Sequence, residues 1–380
     1  MRYLSRVLLI CVVALAARAS VAQTPPHPVL SRIQTIVVIF AENRSFDNLY
    51  GHFPGANGLR QATNAPLQRD RDGSILSELP AIWDGLTPQN APQWIGQERT
   101  VHLRNAPFAI DDPKGFGLGP DLATRDLVHR FYQNQMQING GRNDGFAAWG
   151  DSGALAMGHY DGSRLPMWPI ARRFTLADNF FMAAFGGSFL NHFWLVCACT
   201  PSYPDAGTSP ARGRIAQVDA SGTALVLAPN SPASALDGPP VFLRDGSLTP
   251  GPVFYAVNTM QPPYQPSRVP PPRSDAGKAL ADPTKAEYLP PQTADTIGDQ
   301  LERKGIEWAW FAGAWQHALD NPNPGATPTF QFHHHPLNYF RSFAPGTEMR
   351  RKRLRDGGLQ GETFLDLARR GALPQVVFYK

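Results

Sequence analysis

Cysteine is nearly missing from this sequence: there are three in 380 residues, at positions 11, 197 and 199. A metal site built on Cys197 and Cys199 alone is not expected. A bridge between residues two apart is strained and closes almost no loop, so the pair reads as two buried thiols on a helix. Charge of one sign is also lacking. Thirty-five basic residues face 31 acidic ones, and Arg2, Arg6 and Arg18 lie in the first 22 residues, so the remaining 358 carry a formal charge of only +1. That balance implies no nucleic-acid partner. Long apolar runs are absent except one, Val7 to Ala17 (VLLICVVALAA), which follows Arg2 and Arg6 and precedes Ser20-Val21-Ala22. This is the three-part pattern of a secretory signal peptide, with an apolar core too short for a stable bilayer-spanning helix. The expectation is that residues 1–22 are removed and the product is periplasmic or secreted, not membrane-spanning. The plainer alternative is an uncleaved anchor. No internal repeat is visible.

What the sequence does have is an apolar content of 42%, enough for a proper core, and 37 prolines that cluster. Ile33 to Phe40 (IQTIVVIF) is an unbroken β-branched run, as expected for a strand covered on both faces of a parallel sheet. Residues 54–120 are rich in Pro, Gly and Asn without periodicity, and read as excursions over the surface. GFGLGP at 115–120 has no strand before it and a proline at its end, so it is no nucleotide loop. The spacing of Leu122, Leu127, Phe131 and Met136 predicts a helix over Asp121–Gln137. A second helix is expected within Leu165–Phe181, and an apolar helix opens at Ser188. Residues 200–295 read as loops and short strands of an inserted lobe. A helix follows at Thr293–Lys304, then a strand in IEWAWFAG (306–313), a helix near Gly361–Arg370 and a last strand in LPQVVFYK. Strand and helix alternating at wide spacing predict an α/β sandwich with long loop insertions.

Chemistry concentrates in three places. Glu42 and Asn43 follow a buried strand directly, where ligands gather in open α/β sheets, and a carboxylate beside an amide suits a hard divalent cation. The competing reading is a turn capped by Asn43. Ser188 follows Gly186 and Gly187 at a helix mouth, a natural seat for a phosphoryl group; a cation there would activate its hydroxyl. Serine is also a common N-cap. Asn191 and His192, within one turn, can face the same cavity and contact substrate. Third is His333-His334-His335 before Pro336, of which at most two can address one site in an extended chain. His129 alone reads as a satisfied buried histidine.

Together these segments resemble the bacterial phosphoesterase family of secreted acid phosphatases and phospholipases C. The motifs are IVVIFAENRSFDNLYGHFPGANGL (36–59), DLVHRFYQNQMQINGG (126–141), FTLADNFFMAAFGGSFLNHFWLVCACTP (174–201), FQFHHHPLNYFRSFAPGT (330–347) and LPQVVFYK (373–380). FGGSFLNH is closer to the acid-phosphatase branch; the phospholipase C branch usually reads Gly-Pro-Thr at the nucleophile. The resemblance implies an alkaline-phosphatase-like α/β/α fold over residues 23–380. It also implies hydrolysis of phosphate monoesters through a serine phosphoryl-enzyme. Ser188 matches the nucleophile and, with Glu42 and Asn43, the ligands of a divalent metal ion. His333 and His334 match residues that contact phosphoryl oxygens, His335 stands where the family often has Gln, and His129 matches a further phosphate contact. The substrates implied are small phosphate esters or phospholipid headgroups. In the family, an Asn-Glu-His-Pro-type segment and a later acidic pair follow the strand that here reaches Lys380. Glu42, Asn43 and Ser188 alone bring one carboxylate charge, a poor cage for a hard cation. The expectation is therefore a phosphoesterase domain lacking its C-terminal strands: a fragment of an enzyme or a non-catalytic remnant with weak phosphate binding, a question the codons after 380 decide. A serine esterase is disfavoured, because Gly186-Gly187-Ser188-Phe189-Leu190 lacks the closing glycine of a nucleophile elbow.

Overall fold

A computed structural model describes residues 30–62, 65–274, 278–321 and 329–380. The expected signal peptide lies outside them. The strands of the described residues are β1 (Ile36–Ile39), β2 (Phe108–Ala109), β3 (Gly158–His159), β4 (Trp308–Ala312), β5 (Leu354–Asp356) and β6 (Val376–Tyr379). The α-helices of the described residues run from α1 (Phe46–Tyr50), α2 (Phe131–Ile138), α3 (Phe146–Trp149), α4 (Trp168–Ala171) and α5 (Ser188–Cys197) to α6 (Ile297–Arg303), α7 (Trp315–Asp320), α8 (Glu348–Arg353) and α9 (Glu362–Arg369).

The main sheet has the order β1-β6-β4-β5 with every pair parallel. Ile36 lies opposite Val376, and Val376 opposite Trp308, so the last strand in the sequence sits centrally. Side chains alternate across the pleat. Trp308, Trp310 and Phe378 enter the large cluster that also holds Phe189 and Phe193 of α5. Ala309, Phe311 and Val377 meet Phe364 of α9 on the other face. Helix, sheet and helix thus form three layers, the α/β/α architecture expected. β4 is buried throughout, as its run of aromatic and small residues requires.

β1 departs from expectation. It is the sheet edge among the described strands, and Ile36, Val37 and Ile39 are exposed rather than covered on both faces. Its apolar run reports strand propensity, which edge and centre positions share.

The segment 54–120 is also not a surface excursion. Leu76, Leu79, Ile82, Leu86, Ile95, Ile110 and Leu118 form a second buried cluster with Ala147, Leu155 and Tyr160. Its apolar residues follow no period, because side chains rather than a ladder hold the backbone. Asn105 donates to the carbonyls of Gln68 and Leu76 and accepts from the Gln68 N–H, while Thr87 and Thr100 accept from the N–H groups of Ile95 and Ile82.

The same cluster explains the shortened helix. Leu122 and Leu127 pack against it, Arg125 N–H donates to the Leu86 carbonyl, and Val128 N–H donates to Asp151. Residues 121–130 are therefore extended or turned, and α2 starts only at Phe131. In the region 165–181 the helix is a single turn, α4. The α6 helix starts with a capping box, Thr296 and Asp299 each accepting from the other's N–H. The described residues of 200–295 contain no long element. Several of their buried side chains, including Tyr203, Leu225, Leu248 and Leu289, belong to the main cluster, and Ala235 belongs to the second. The cysteines differ as well. α5 ends at Cys197, Ala198 turns left-handed (φ 48°), and this brings Cys199 back with Cα atoms 5.1 Å apart, joined in a disulfide.

Candidate active site

Ser188 is the first residue of α5, and Gly187 is the N-cap, so the serine does not serve as the cap. Its side chain makes no hydrogen bond among the described residues, and the residue is 8% exposed. Two glycines create this placement. Gly186 has φ +129°, outside the range of ordinary side chains, and a Cβ on Gly187 would lie 2.4 Å from the His129 carbonyl oxygen. The loop is braced by Asn191, whose Oδ1 accepts from Ala184 N–H and whose Nδ2 donates to the carbonyls of Gly186 and Gly187. These bonds commit the Asn191 amide to the loop.

Ser188 lines a cavity of about 710 Å³ together with His333, His129, Arg125, Arg130, Asn258 and Thr259. The free N–H groups of the first turn of α5 and its positive dipole end favour an anion there. Arg130 is paired with Asp245 at 2.7 Å, and Arg125 lies 3.5 Å from Asp84.

One turn on, His192 is fully buried, with Nδ1 2.6 Å from the Ser188 carbonyl oxygen. A carbonyl only accepts, so Nδ1 carries the proton and Nε2 presents a lone pair. Nε2 is buried without a partner. Burial, then neighbouring His334, pushes His192 down to about 3, so its ring is neutral. The ring stacks on His334 at 4.8 Å between centroids. His334 Nε2 is 2.9 Å from Glu42 Oε1, and the Lys380 ammonium is 3.1 Å from the same oxygen. Burial works to raise the Glu42 carboxyl, but the contact with His334 and the nearby Lys380 charge hold it well below the ordinary carboxylate range. Ligand atoms of Glu42, His192 and His334 all lie within 4.8 Å of one another.

His335 is the C-cap, and His333 and His334 the last two residues, of a 3₁₀ turn, Phe332–His334, which is not a strand. Its steps of about 120° send successive side chains in different directions. His334 goes to Glu42 and His333 to the Ser188 cavity. His333 is pushed down to about 3, chiefly by burial and then by His334. His335 enters the aromatic core, with ring centroids 4.3 Å from Trp315 and 5.8 Å from Trp310. Both of its nitrogens are buried without partners, and burial pushes it down to about 3 from 6.5.

This gives a pH prediction. Between pH 6.5 and 3 the unfolded chain takes up a proton at position 335 that the fold refuses. Stability from this group is therefore intact above pH 6.5 and drains as the pH falls toward 3. His335→Leu should match the parent at pH 7.5 within about 1 kcal/mol and gain about 2 kcal/mol on it at pH 5, by urea denaturation. Parallel behaviour of the two proteins across that range would remove the claim.

Asn43 turns the chain in the left-handed region (φ 75°) and lines a separate cavity of about 310 Å³ with Arg44, Ser45 and Asn48. The segment Asp126–His129 lines both cavities. Glu42 is thus grouped with His192 and His334, whereas Asn43 and Ser188 contact two different spaces. His129 is not a buried helix residue. It is exposed, precedes α2, and places Nδ1 2.6 Å from the Leu127 carbonyl oxygen. Sequence reasoning missed Lys380, although it stands at the carboxyl end of a parallel strand as Glu42 does, and that position was the available signal. It also missed His192 as a partner of Glu42. The i, i+4 spacing from Ser188 was visible, but the approach of Glu42 was not.

Fold and site together define a parallel-sheet α/β protein with a free serine hydroxyl at a helix mouth and a carboxylate–bis-imidazole cluster at the strand ends. The chain belongs to the Phosphoesterase family, which it matches over residues 33–380. It is 26% identical over 191 residues to Phospholipase C A of Mycobacterium tuberculosis, covering 48% of this chain and 32% of that relative. It is likewise 26% identical over 192 residues to Phospholipase C B of the same organism, covering 48% and 33%. The chain spans about a third of the length of these curated relatives.

Proposed function

We propose that this protein hydrolyses phosphate esters by attack of the Ser188 hydroxyl on phosphorus. The observation that carries the reading is the uncapped Ser188 hydroxyl at the mouth of α5, one imidazole away from the Glu42–His334 pair. In this reading the phosphoryl group sits against the first turn of α5, with Ser188 positioned by the Asn191 brace. His333, neutral at ordinary pH, donates one hydrogen bond to a phosphoryl oxygen, and His129 at the cavity rim contacts another. Attack moves the phosphoryl group onto Ser188 and releases the alcohol; water then cleaves the phosphoserine.

The residues suit a divalent cation of borderline character. Two imidazoles and one carboxylate are a common set for such ions, and the buried, unpartnered Nε2 of His192 is a lone pair waiting for an acceptor. We assign Glu42, His192 and His334 as the protein's donors, in place of the oxygen set Glu42, Asn43 and Ser188 anticipated above. A bound cation would polarise the phosphoryl oxygen and lower the pKa of the attacking hydroxyl.

Phosphate monoesters are the first substrate reading, supported by Gly-Gly-Ser at the nucleophile. A phospholipase C acting on phospholipid headgroups is the second, favoured by the names of the relatives. Turnover of p-nitrophenyl phosphate and of phosphatidylcholine separates them: the first reading expects the monoester to be faster by about a hundredfold or more. The reverse order selects the second, and turnover of neither ester ends both. We also propose export to the periplasm or medium, which the N-terminus of the mature protein tests: Gln23 is expected, and Met1 would contradict it.

A further inference from the structure

The segment from Arg164 to Phe185 leads into the nucleophile loop and carries a series of large apolar side chains that the described residues leave exposed. Phe180 and Phe181 are 82% and 81% exposed, and Met167, Ile170, Phe174, Met182 and Phe185 are also exposed. The segment is nevertheless fixed to the fold. Trp168 is buried and stacks on Tyr50 at 5.4 Å. Asp178 accepts from the Asn57 N–H at 2.7 Å, Asn57 Nδ2 donates to Asn179, and Ala184 N–H donates to Asn191. The aromatic rings are therefore displayed by an anchored ledge.

Charge on the ledge is one-sided. Arg164, Arg172 and Arg173 are exposed, and the single acid, Asp178, is occupied by Asn57. Exposed side chains of Phe, Met and Ile bury without needing directional partners, which suits fluid hydrocarbon, while neighbouring guanidinium groups suit lipid phosphates. The apolar surface also continues inward. Phe185 borders a groove of about 350 Å³ lined by Phe131, Leu190, Trp194, Tyr255 and Val257, two residues along α5 from Ser188.

We propose that the ledge Arg164–Phe185 docks this protein on an anionic lipid bilayer, its phenylalanines entering the interface and its arginines meeting lipid phosphates. Docking of this kind goes beyond the hydrolytic reading and does not require it. A membrane-held enzyme would meet phosphate esters at the headgroup level, with the Ser188 cavity beside the lipid surface.

Flotation with vesicles tests the proposal. The protein should bind vesicles of phosphatidylcholine with about a third phosphatidylglycerol at least tenfold better than phosphatidylcholine alone. Phe180→Ser with Phe181→Ser should weaken binding to both by about tenfold or more while leaving the circular dichroism melt unchanged. Arg172→Gln with Arg173→Gln should remove only the phosphatidylglycerol-dependent excess, about fivefold per arginine. Ser188→Ala should bind as the parent does, so failed catalysis and failed docking are read separately. Absence of binding to either vesicle, or undiminished binding by the phenylalanine variant, would overturn the proposal. So would self-association lost in that variant without vesicle binding, which would assign the ledge to a second copy.

Discussion

Ser188→Ala is expected to lower turnover of p-nitrophenyl phosphate by about a thousandfold or more, with the fold intact. The serine side chain takes no part in capping or in any hydrogen bond among the described residues, so its loss removes an attacking atom and little else. The urea midpoint should stay within the scatter of ordinary surface changes, about 0.5 kcal/mol. A Gly187→Ala variant supplies the contrast. Its Cβ would lie 2.4 Å from the His129 carbonyl, so activity and stability should fall together. A Ser188→Ala protein that retains turnover would take the hydroxyl out of the chemistry.

The second large effect concerns Glu42. Its oxygen meets His334 at 2.9 Å and the Lys380 ammonium at 3.1 Å, with all three side chains largely buried. Glu42→Gln keeps the shape but leaves Lys380 without its counter-charge, a loss on the order of 3 kcal/mol for a largely buried pair. Affinity for a divalent cation should fall by about a hundredfold, read from metal content after dialysis against zinc or manganese. Lys380→Met should act in the opposite direction on affinity, since it removes a like charge from beside the proposed cation position. Equal metal content in the parent and Glu42→Gln would show that Glu42 is no ligand.

The sheet was readable where local pattern and burial agree. IEWAWFAG and LPQVVFYK became β4 and β6, and α9 (Glu362–Arg369) lies within the helix expected near Gly361–Arg370. β1 was found as a strand, but its edge position depends on neighbours that no local window contains. Asp121–Gln137 misled because Leu122 and Leu127 serve a second core rather than a helix face. That core was itself invisible, since Asn105, Thr87 and Thr100 hold it by individual hydrogen bonds that leave no period. The Cys197–Cys199 disulfide turned on one left-handed residue, Ala198, in a sequence that read as continuing helix.

For the site, the residue types and their places in the chain were legible and the grouping was not. Gly186-Gly187-Ser188 pointed to a helix mouth on its own terms. The partition of His333, His334 and His335 among cavity, carboxylate and core follows from the 3₁₀ turn that holds the first two and is capped by the third. The meeting of Glu42 with His192 and His334 requires β1, α5 and that turn to converge, a tertiary fact. Asn191 illustrates the same limit: its spacing from Ser188 fits a cavity residue, yet its amide is spent on the loop.

The most direct measurement is rapid acid quench of the protein turning over p-nitrophenyl phosphate, followed by mass spectrometry of the peptide containing residues 186–192. One phosphoryl group on Ser188 is the predicted result. Steady turnover with no phosphate on that peptide, or with phosphate on another residue, would contradict the account.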